Sequence, residues 1–261
     1  MFFDIFYCWR KKPFSIRKPK DWATLPLYKK IKYVGGILTE EYAPYVDKIS
    51  AKNIVKSLCG DSIKIPEIVR ILDGPDDLQE SDMDERYLIK ASHGSGWLID
   101  PKLHTSIVAN KLLLHCWNKP FINTKNNQVK IEKQYSFLKP RFFIEKKIEC
   151  AYSGLGGNAL DVKVNCFYGK PKFVLVQKDK KKNFYSLDWK PLMALEFPFE
   201  IPSCMSDILK LSKILSEPFE FVRVDFYIGV DGIYFSEFTF TPKAGNRRLT
   251  EKLEFEYGKY W

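Results

Sequence analysis

The sequence lacks the features that mark several protein classes. No apolar run in its 261 residues approaches the roughly 20 residues that a membrane-spanning helix needs. The six cysteines form no C-x-x-C pair, which argues against a structural zinc site and for reduced thiols. The apolar start, Met1–Trp9, precedes its basic cluster, and a secretory signal has the opposite order. We therefore expect a cytoplasmic protein.

What is present is a composition able to form a core. Hydrophobic residues make up 45% of the chain and aromatic residues 15%, which excludes a disordered chain because such chains are poor in aromatics. Hairpins and separate helices, in place of a βαβ series, predict an α+β fold. Two hairpins are predicted: Leu160–Tyr168 with Lys172–Gln177, and Phe219–Ile228 with Gly232–Phe240.

Helices and further strands are predicted from apolar periodicity. Residues 1–45 are predicted to be irregular because four prolines interrupt any long helix. The predicted helices are Asp47–Cys59 (with Ser50 as its cap), Ser106–Trp117 and Met205–Leu215, and the predicted strands are Ile63–Leu72, Arg86–Lys90 and Arg141–Ile148.

The net charge of +10 is unevenly distributed. Residues 1–34 carry nine lysines and arginines against two aspartates, and the remainder is close to balanced. Such asymmetry favours either an arm that meets an anionic partner or a solvated basic tail. No helix-turn-helix, zinc-finger or RNA-recognition signature is present, so we expect no nucleic-acid partner.

A small polar loop, His93-Gly94-Ser95-Gly96, follows Lys90 at the end of a short strand. Glycine-rich backbone lets N–H groups approach phosphate oxygens closely, and Lys90 adds a positive charge beside them. The loop matches neither standard glycine-rich nucleotide fingerprint, so an ordinary hairpin turn is the alternative. For His93 we favour a hydrogen bond to phosphate over a role as general base.

A pair of strands brings a basic and two acidic residues together. Arg223 and Asp225 lie two apart and share one face of their strand, and Glu237 on the next strand can lie opposite them. Carboxylates at that separation suit Mg²⁺, and an arginine beside them can stabilise a phosphoryl group. The alternative is a structural cross-strand ion pair. Upstream, Glu145 leaves an apolar strand and can accept bonds from adenine or ribose.

In their order and spacing these segments resemble the TupA-like (teichuronopeptide biosynthesis) branch of the ATP-grasp superfamily. The resemblance covers about residues 45–258. It rests on Asp47-Lys48, residues 90–96, Phe143-Ile144-Glu145, Asp161-Val162-Lys163, Cys166–Pro171, Phe184–Trp189, Phe221–Tyr227 and Ile233–Pro242.

The resemblance implies an ATP-grasp fold, in which two α+β lobes clasp ATP. It divides the chain into a basic, aromatic arm (1–45), a reduced N-terminal lobe (46–85), a small lobe (86–140) and a large lobe with the Mg/ATP site (141–261). Arg223 and Lys163 would act on the transferring phosphoryl group. Asp225 and Glu237 would bind Mg²⁺, with Thr239 as a third contact where the superfamily usually has asparagine. The implied ATP-binding residues are Lys90, His93, Gly94, Ser95, Gly96, Glu145, Lys146, Glu149, Lys163 and Lys180.

The implied activity is that of an ATP- and Mg-dependent carboxylate–amine ligase acting through an acyl phosphate. Its implied partners are an anionic saccharide or nucleotide sugar and an amino acid or amine, in bacterial surface-polysaccharide biosynthesis. The basic arm would recruit that acceptor or dock at the inner face of the membrane. The alternative is a glycosyltransferase, or a non-catalytic accessory protein, of the same pathway. Against this alternative, no D-x-D metal motif follows an apolar strand: Asp82-Met83-Asp84 has the letters but lies in an acidic, weakly structured segment.

Overall fold

The computed structural model describes residues 14–125, 128–151, 159–179, 181–195 and 197–261. Within them the α-helices are α1 (Leu27–Gly35), α2 (Ala43–Val46), α3 (Lys48–Cys59), α4 (Ile107–Trp117), α5 (Met205–Ser216) and α6 (Glu251–Gly258). The strands are β1 (Ile68–Leu72), β2 (Tyr87–Ala91), β3 (Leu98–Ile99), β4 (Asn123–Lys125), β5 (Gln128–Lys130), β6 (Phe142–Lys146), β7 (Leu160–Phe167), β8 (Lys170–Lys178), β9 (Lys181–Ser186), β10 (Phe221–Gly229) and β11 (Gly232–Thr239).

Two antiparallel sheets form the framework. The first has the strand order β1-β6-β2-β3 and the second the order β11-β10-β7-β8-β9, while β4 and β5 pair as a separate hairpin. Helices pack on these sheets: α5 contacts β10, β7 and β8, and α3 contacts β11. The predicted α+β class is confirmed. None of the helices in the described ranges is both long and apolar enough to cross a membrane.

Each sheet has its own apolar core. The smaller core joins the first sheet to α4 through residues such as Ile89, Leu114 and Ile144. The larger core is built on the second sheet and includes α5 and α1. The first sheet takes β6 from beyond residue 140, where one predicted boundary lies. The division of the chain into four units stays a prediction.

The local predictions hold for the hairpins and most helices, with two corrections. Asp47, and not Ser50, caps α3, because its carboxylate accepts a hydrogen bond from Ser50 N at 2.8 Å. The predicted strand Ile63–Leu72 is shortened to β1. Pro66 has no N–H to donate to a ladder, so regular pairing begins only after it.

The prediction that residues 1–45 are irregular is wrong for α1. The helix begins directly after Pro26, where a missing N–H costs nothing. Its buried residues Leu27, Ile31 and Val34 recur at helical spacing and pack against α6 and the turn at Pro242–Gly245. A deletion reaching residue 32 would therefore remove part of the core, not only a basic arm.

Lys30 shows that part of the N-terminal charge is structural. Its side chain is wholly buried, and Nζ donates to Gly258 O at 2.8 Å and to Trp261 O at 2.7 Å. Burial, aided by the charge of Lys18, lowers the pKa of Lys30 to about 8. Lys30 thus ties α1 to the end of the chain and is not available to an external partner.

We predict that Lys30→Met lowers the free energy of unfolding by about 1–3 kcal/mol, because two buried hydrogen bonds to carbonyls are lost. Urea denaturation at pH 7 measures the change. The matched control is Lys29→Met, since Lys29 is the exposed neighbour on the same helix, and it should change stability by less than about 0.5 kcal/mol. Equal losses in both variants would contradict the structural role.

Candidate active site

Two adjoining cavities lie against the second sheet, and the first of them is also lined by the first sheet. The first cavity has a volume of about 400 Å³, and its lining includes Lys48, Lys90 and Glu145. The second has a volume of about 330 Å³, and its lining includes Arg223 and Arg248. Three residues line both cavities and form their shared wall: Lys163, Gln177 and Glu237.

The register of the second sheet places the predicted polar residues in rows. Asp225 of β10 lies between Lys163 of β7 and Glu237 of β11. In the next row Arg223 lies beside Thr239. Side chains two apart on a strand share a face, so all five project from one side of the sheet. Four of them line the cavities, and Asp225 lies buried among them. The pairing of β7, β10 and β11 therefore brings these residues together, as the sequence predicted.

Arg223 and Asp225 form a buried bidentate ion pair. Arg223 Nε donates to Asp225 Oδ1 at 2.7 Å, and Nη2 donates to Oδ2 at 2.6 Å. Although burial opposes the charge, the carboxylate of Asp225 raises the pKa of Arg223. Lys163 Nζ lies 3.4 Å from Asp225 Oδ2. The structural ion pair considered as an alternative is thus present, and its arginine lines the second cavity while Asp225 lies buried behind it.

Thr239 and Glu237 extend this arrangement. Thr239 Oγ1 accepts from Arg223 Nη2 at 3.0 Å and donates to Glu237 Oε1 at 3.1 Å. Burial disfavours the charge of Glu237, but the surrounding cations, led by Lys48, lower the pKa of this carboxyl. Glu237 is therefore ionised at neutral pH and faces both cavities.

The first cavity concentrates positive charge. Lys52 and Lys90 both bond the carboxylate of Glu145, which is 2% exposed and so is held between them. Burial and the charge of Lys48 lower the pKa of Lys90 to about 8. Burial and the neighbouring lysines also lower the pKa of Lys52. Six lysines line this cavity against four acids, and this excess of positive charge favours an anionic ligand.

The loop after Lys90 is shaped by close packing. A Cβ at Gly94 would lie 2.8 Å from ring atoms of Trp97 and Phe121, so only glycine fits there. Lys48 Nζ donates to Gly94 O and fixes the loop to α3. Gly96 lines the first cavity and Ser95 the second.

His93 does not meet either cavity. Its ring is wholly buried, Arg141 N donates to Nδ1 at 3.2 Å, and Nε2 donates to Trp117 O at 2.9 Å. Burial lowers the pKa of His93, so the ring is neutral. With both nitrogens bonded inside the protein, the geometry does not support the predicted hydrogen bond to phosphate. His93 instead anchors the loop to the first sheet.

The remaining predicted nucleotide ligands are placed unequally. Lys146 lines the first cavity, and its Nζ lies 3.6 Å from Glu67. Glu149 is exposed and does not belong to that lining. Lys180 lies outside the described residues. Their roles stay predictions.

Sequence reasoning missed Lys48 and Lys52 as cavity residues. They lie one helical turn apart on α3, which starts at the Asp47 cap, so both face the first cavity. A lysine pair at this spacing directly after a helix cap was the available signal. Its link to the glycine-rich loop depends on contacts between residues more than 40 positions apart.

Asp161 is a further residue that the sequence did not single out. It lines the first cavity, and its Oδ2 lies 3.3 Å from Lys163 Nζ, while Oδ1 is buried without a hydrogen-bond partner. Burial raises the pKa of Asp161 to about 6, against the attraction of Lys163. The ionised form of Asp161 therefore costs free energy in the ligand-free protein.

We predict that Asp161→Asn stabilises the ligand-free protein at pH 7. Because the folded-state pKa is raised, the wild type loses stability as pH rises from about 4 to 6, by an amount of order 3 kcal/mol. The variant should lack this loss, so its advantage should be small at pH 4 and full above pH 6. Urea denaturation of both proteins across this range measures it. An advantage that does not change with pH would contradict the assignment.

The carboxylates suit Mg²⁺ only if a substrate supplies further ligands to the ion. In the described ranges there is no cluster of three or more histidine, cysteine, aspartate or glutamate side chains suited to hold a metal alone. Mg²⁺ is commonly held by one or two carboxylates, with waters and substrate phosphates completing its shell. Glu237, which lines both cavities, suits such a site. Asp225 lies beside it but is wholly buried, with both oxygens bonded by Arg223, so its role as a Mg²⁺ ligand stays a prediction.

Comparison with known proteins identifies the family of the chain. The chain belongs to the TupA-like ATP-grasp family, whose model ("TupA-like ATPgrasp") matches residues 27–260. The resemblance drawn from the sequence is thereby confirmed, and the fold is an ATP-grasp fold. No curated protein matches the chain.

Several solved structures are similar in fold. D-alanine–D-alanine ligase from Bacillus anthracis, complexed with ATP, is 14% identical over 76% of this chain and 54% of that chain, with a TM-score of 0.46. D-alanyl-alanine synthetase A from Vibrio cholerae is 12% identical over 84% and 62%, also at 0.46. A Chryseobacterium gregarium RiPP-associated ATP-grasp ligase, in complex with ADP and a leader and core peptide, is 13% identical over 90% and 64%, at 0.43. The chain thus spans about half to two thirds of their length.

Proposed function

We propose that the protein is an ATP- and Mg²⁺-dependent carboxylate–amine ligase that forms an amide bond through an acyl phosphate. One observation carries the proposal: a cavity rich in lysines and a second polar cavity share a wall of Lys163 and Glu237, beside the Arg223–Asp225 pair. A triphosphate in the first cavity would end at that wall. A carboxylate in the second would meet it there.

The residues have separate tasks in this proposal. Lys48, Lys52 and Lys90 would neutralise phosphate charge in the first cavity. Arg223 and Lys163 would stabilise charge on the phosphoryl group as it passes to the carboxylate, which releases ADP. The amine then attacks the acyl carbon and expels inorganic phosphate, while its proton is lost to solvent or a nearby base. Asp225 and Glu237 would hold Mg²⁺, which supplies charge neutralisation when bound.

We predict ADP release from Mg·ATP only when a nucleotide-linked uronic acid and an amine donor from a pool of amino acids are both present. Asp225→Asn and Glu237→Gln should each lower the rate at least about 100-fold, since each removes a charge that acts at the phosphoryl group. A coupled ADP assay measures the rate. The matched control is Asp231→Asn, because Asp231 lies on the exposed hairpin turn and pairs with Lys64.

ADP release that needs no amine would contradict a ligase. Release that survives both carboxylate substitutions would contradict the site. A rise of the melting temperature with Mg·ATP, measured on the same samples, reports nucleotide binding separately from turnover.

The proposed setting is the synthesis of bacterial surface polysaccharide, in the cytoplasm, with a uronic acid as the activated carboxylate. The resemblance to the teichuronopeptide-biosynthesis branch supports this setting, and the chain belongs to the TupA-like family. The glycosyltransferase alternative has less support, because both carboxylates of the D-x-D sequence form ion pairs with arginines of the protein. Asp82 pairs with Arg70, and Asp84 pairs with Arg86 at 2.6 Å.

The basic N-terminal segment is proposed to bring the protein to anionic saccharides or to the inner leaflet. Its described basic residues Arg17, Lys20, Lys29 and Lys32 are exposed, in contrast to Lys30. We predict that replacing these four by glutamine weakens binding to vesicles containing phosphatidylglycerol at least tenfold, since each contributes about 1 kcal/mol near such a surface. Co-sedimentation measures it, with Lys102→Gln/Lys119→Gln as control. Equal binding by both variants would contradict a membrane role.

A further inference from the structure

The second cavity contains an acid that no cation neutralises. Glu132 accepts hydrogen bonds from Asn123 Nδ2 and from Thr241 Oγ1, both at 2.5 Å, which fix its two oxygens. Within the described part of the chain no lysine or arginine forms an ion pair with it. Burial raises the pKa of Glu132, and the charge of Glu237 acts in the same direction. A cationic ligand bound at Glu132 would favour the ionised carboxylate and so oppose both effects.

The same cavity contains a base that no acid neutralises. Arg248 is half-buried, and its guanidinium lies over the Phe184 ring at 5.1 Å. Its backbone N donates to Glu254 Oε1 at 3.0 Å, but its side chain has no ion pair with the residues described. Burial, together with the charge of Arg223, lowers the pKa of Arg248 to about 10. A partly desolvated cation without a partner costs free energy that an anionic ligand recovers.

Glu132 and Arg248 line one cavity without pairing with each other. Each is held elsewhere: the acid by Asn123 and Thr241, the base by the Phe184 face and its own backbone. A site with separated opposite charges is complementary to a small zwitterion. The cavity volume of about 330 Å³ is within the range of ligand pockets and leaves room for a second substrate group.

We propose that the second cavity contains an amino-acid subsite, in which Glu132 receives the ammonium group and Arg248 the carboxylate of an α-amino acid. The inference rests on the proposed function, because it names the amine substrate of that ligase. The shared wall of Lys163 and Glu237 then separates this amine from the nucleotide by one layer of side chains. The amine substrate is an amino acid, and neither ammonia nor a simple alkylamine.

Isothermal titration calorimetry on the full chain tests this. Each standard amino acid is titrated with and without Mg·AMPPNP, and the tightest binder is compared with its amine lacking the carboxylate and its acid lacking the amine. Both analogues should bind at least tenfold more weakly. Arg248→Gln should weaken the amino acid about tenfold or more and leave the carboxylate-free amine unchanged, because only one charge-assisted contact is removed. Glu132→Gln should show the reverse pattern, weakening the amino acid but not the amine-free acid.

Two further variants complete the test. Arg247→Gln changes the exposed neighbouring arginine and should bind like the wild type. Arg248→Lys keeps the charge and should recover part of the lost affinity. The proposal is overturned if the carboxylate-free amine or the amine-free acid binds as tightly as the amino acid. It is also overturned if Arg248→Gln weakens the amino acid and its carboxylate-free amine equally, or if no amino acid binds.

Failure of the proposed function is distinguishable from these results. Absence of AMPPNP binding would count against the ligase, while the titrations without nucleotide still measure the amino-acid subsite. Conversely, AMPPNP binding without any amino-acid binding would overturn the subsite and leave the nucleotide site standing.

Discussion

The buried ion pair between Arg223 and Asp225 is the interaction on which the geometry of the site depends. Asp225 is wholly buried, and both of its oxygens accept bonds from one guanidinium. Removing either partner would leave a buried charge uncompensated, which typically costs about 3–5 kcal/mol. The pair also holds Arg223 against Thr239, and so orients the polar face of the second sheet.

The two cavities differ in how their charges are balanced. In the first, Lys48, Lys52 and Lys90 outnumber the acid that they approach, so a polyanion completes the site. In the second, Glu132 and Arg248 line the same cavity, and neither forms an ion pair with the residues described. Both arrangements carry an electrostatic cost in the empty protein that a ligand of the right charge removes. This is the usual relation between perturbed ionisable groups and binding sites.

The N-terminal segment illustrates how charge counts mislead. Nine basic residues among the first 34 suggested a surface arm, but Lys30 is wholly buried, and it links α1 to the last residue of the chain. A lysine can be buried when carbonyls accept its protons, and sequence alone does not show where those carbonyls lie. Trp22 Nε1 donates to the same carbonyl of Trp261, so the segment before α1 and Trp261 meet in the larger core.

Local sequence patterns were sufficient to predict most helices and strands and the row of the site that contains Asp225 and Glu237. Alternation predicted β7 and β8, apolar spacing predicted α4 and α5, and two carboxylates on neighbouring strands predicted the pairing of Asp225 with Glu237. These features depend on residues close in sequence or joined by a short turn. The order of motifs further indicated the family.

Long-range packing decided the rest. Three features of the site join residues 24 to 116 positions apart along the chain. They are the hydrogen bonds of His93 with Arg141 and Trp117, the bond from Lys48 to the loop, and the placement of Glu132 and Arg248 in one cavity. No period or spacing rule encodes such contacts, because they depend on how two sheets with separate cores are set against each other. Sequence pattern shows which groups can carry charge, and only the tertiary structure shows which of those charges are neutralised within the protein and which are left for a ligand.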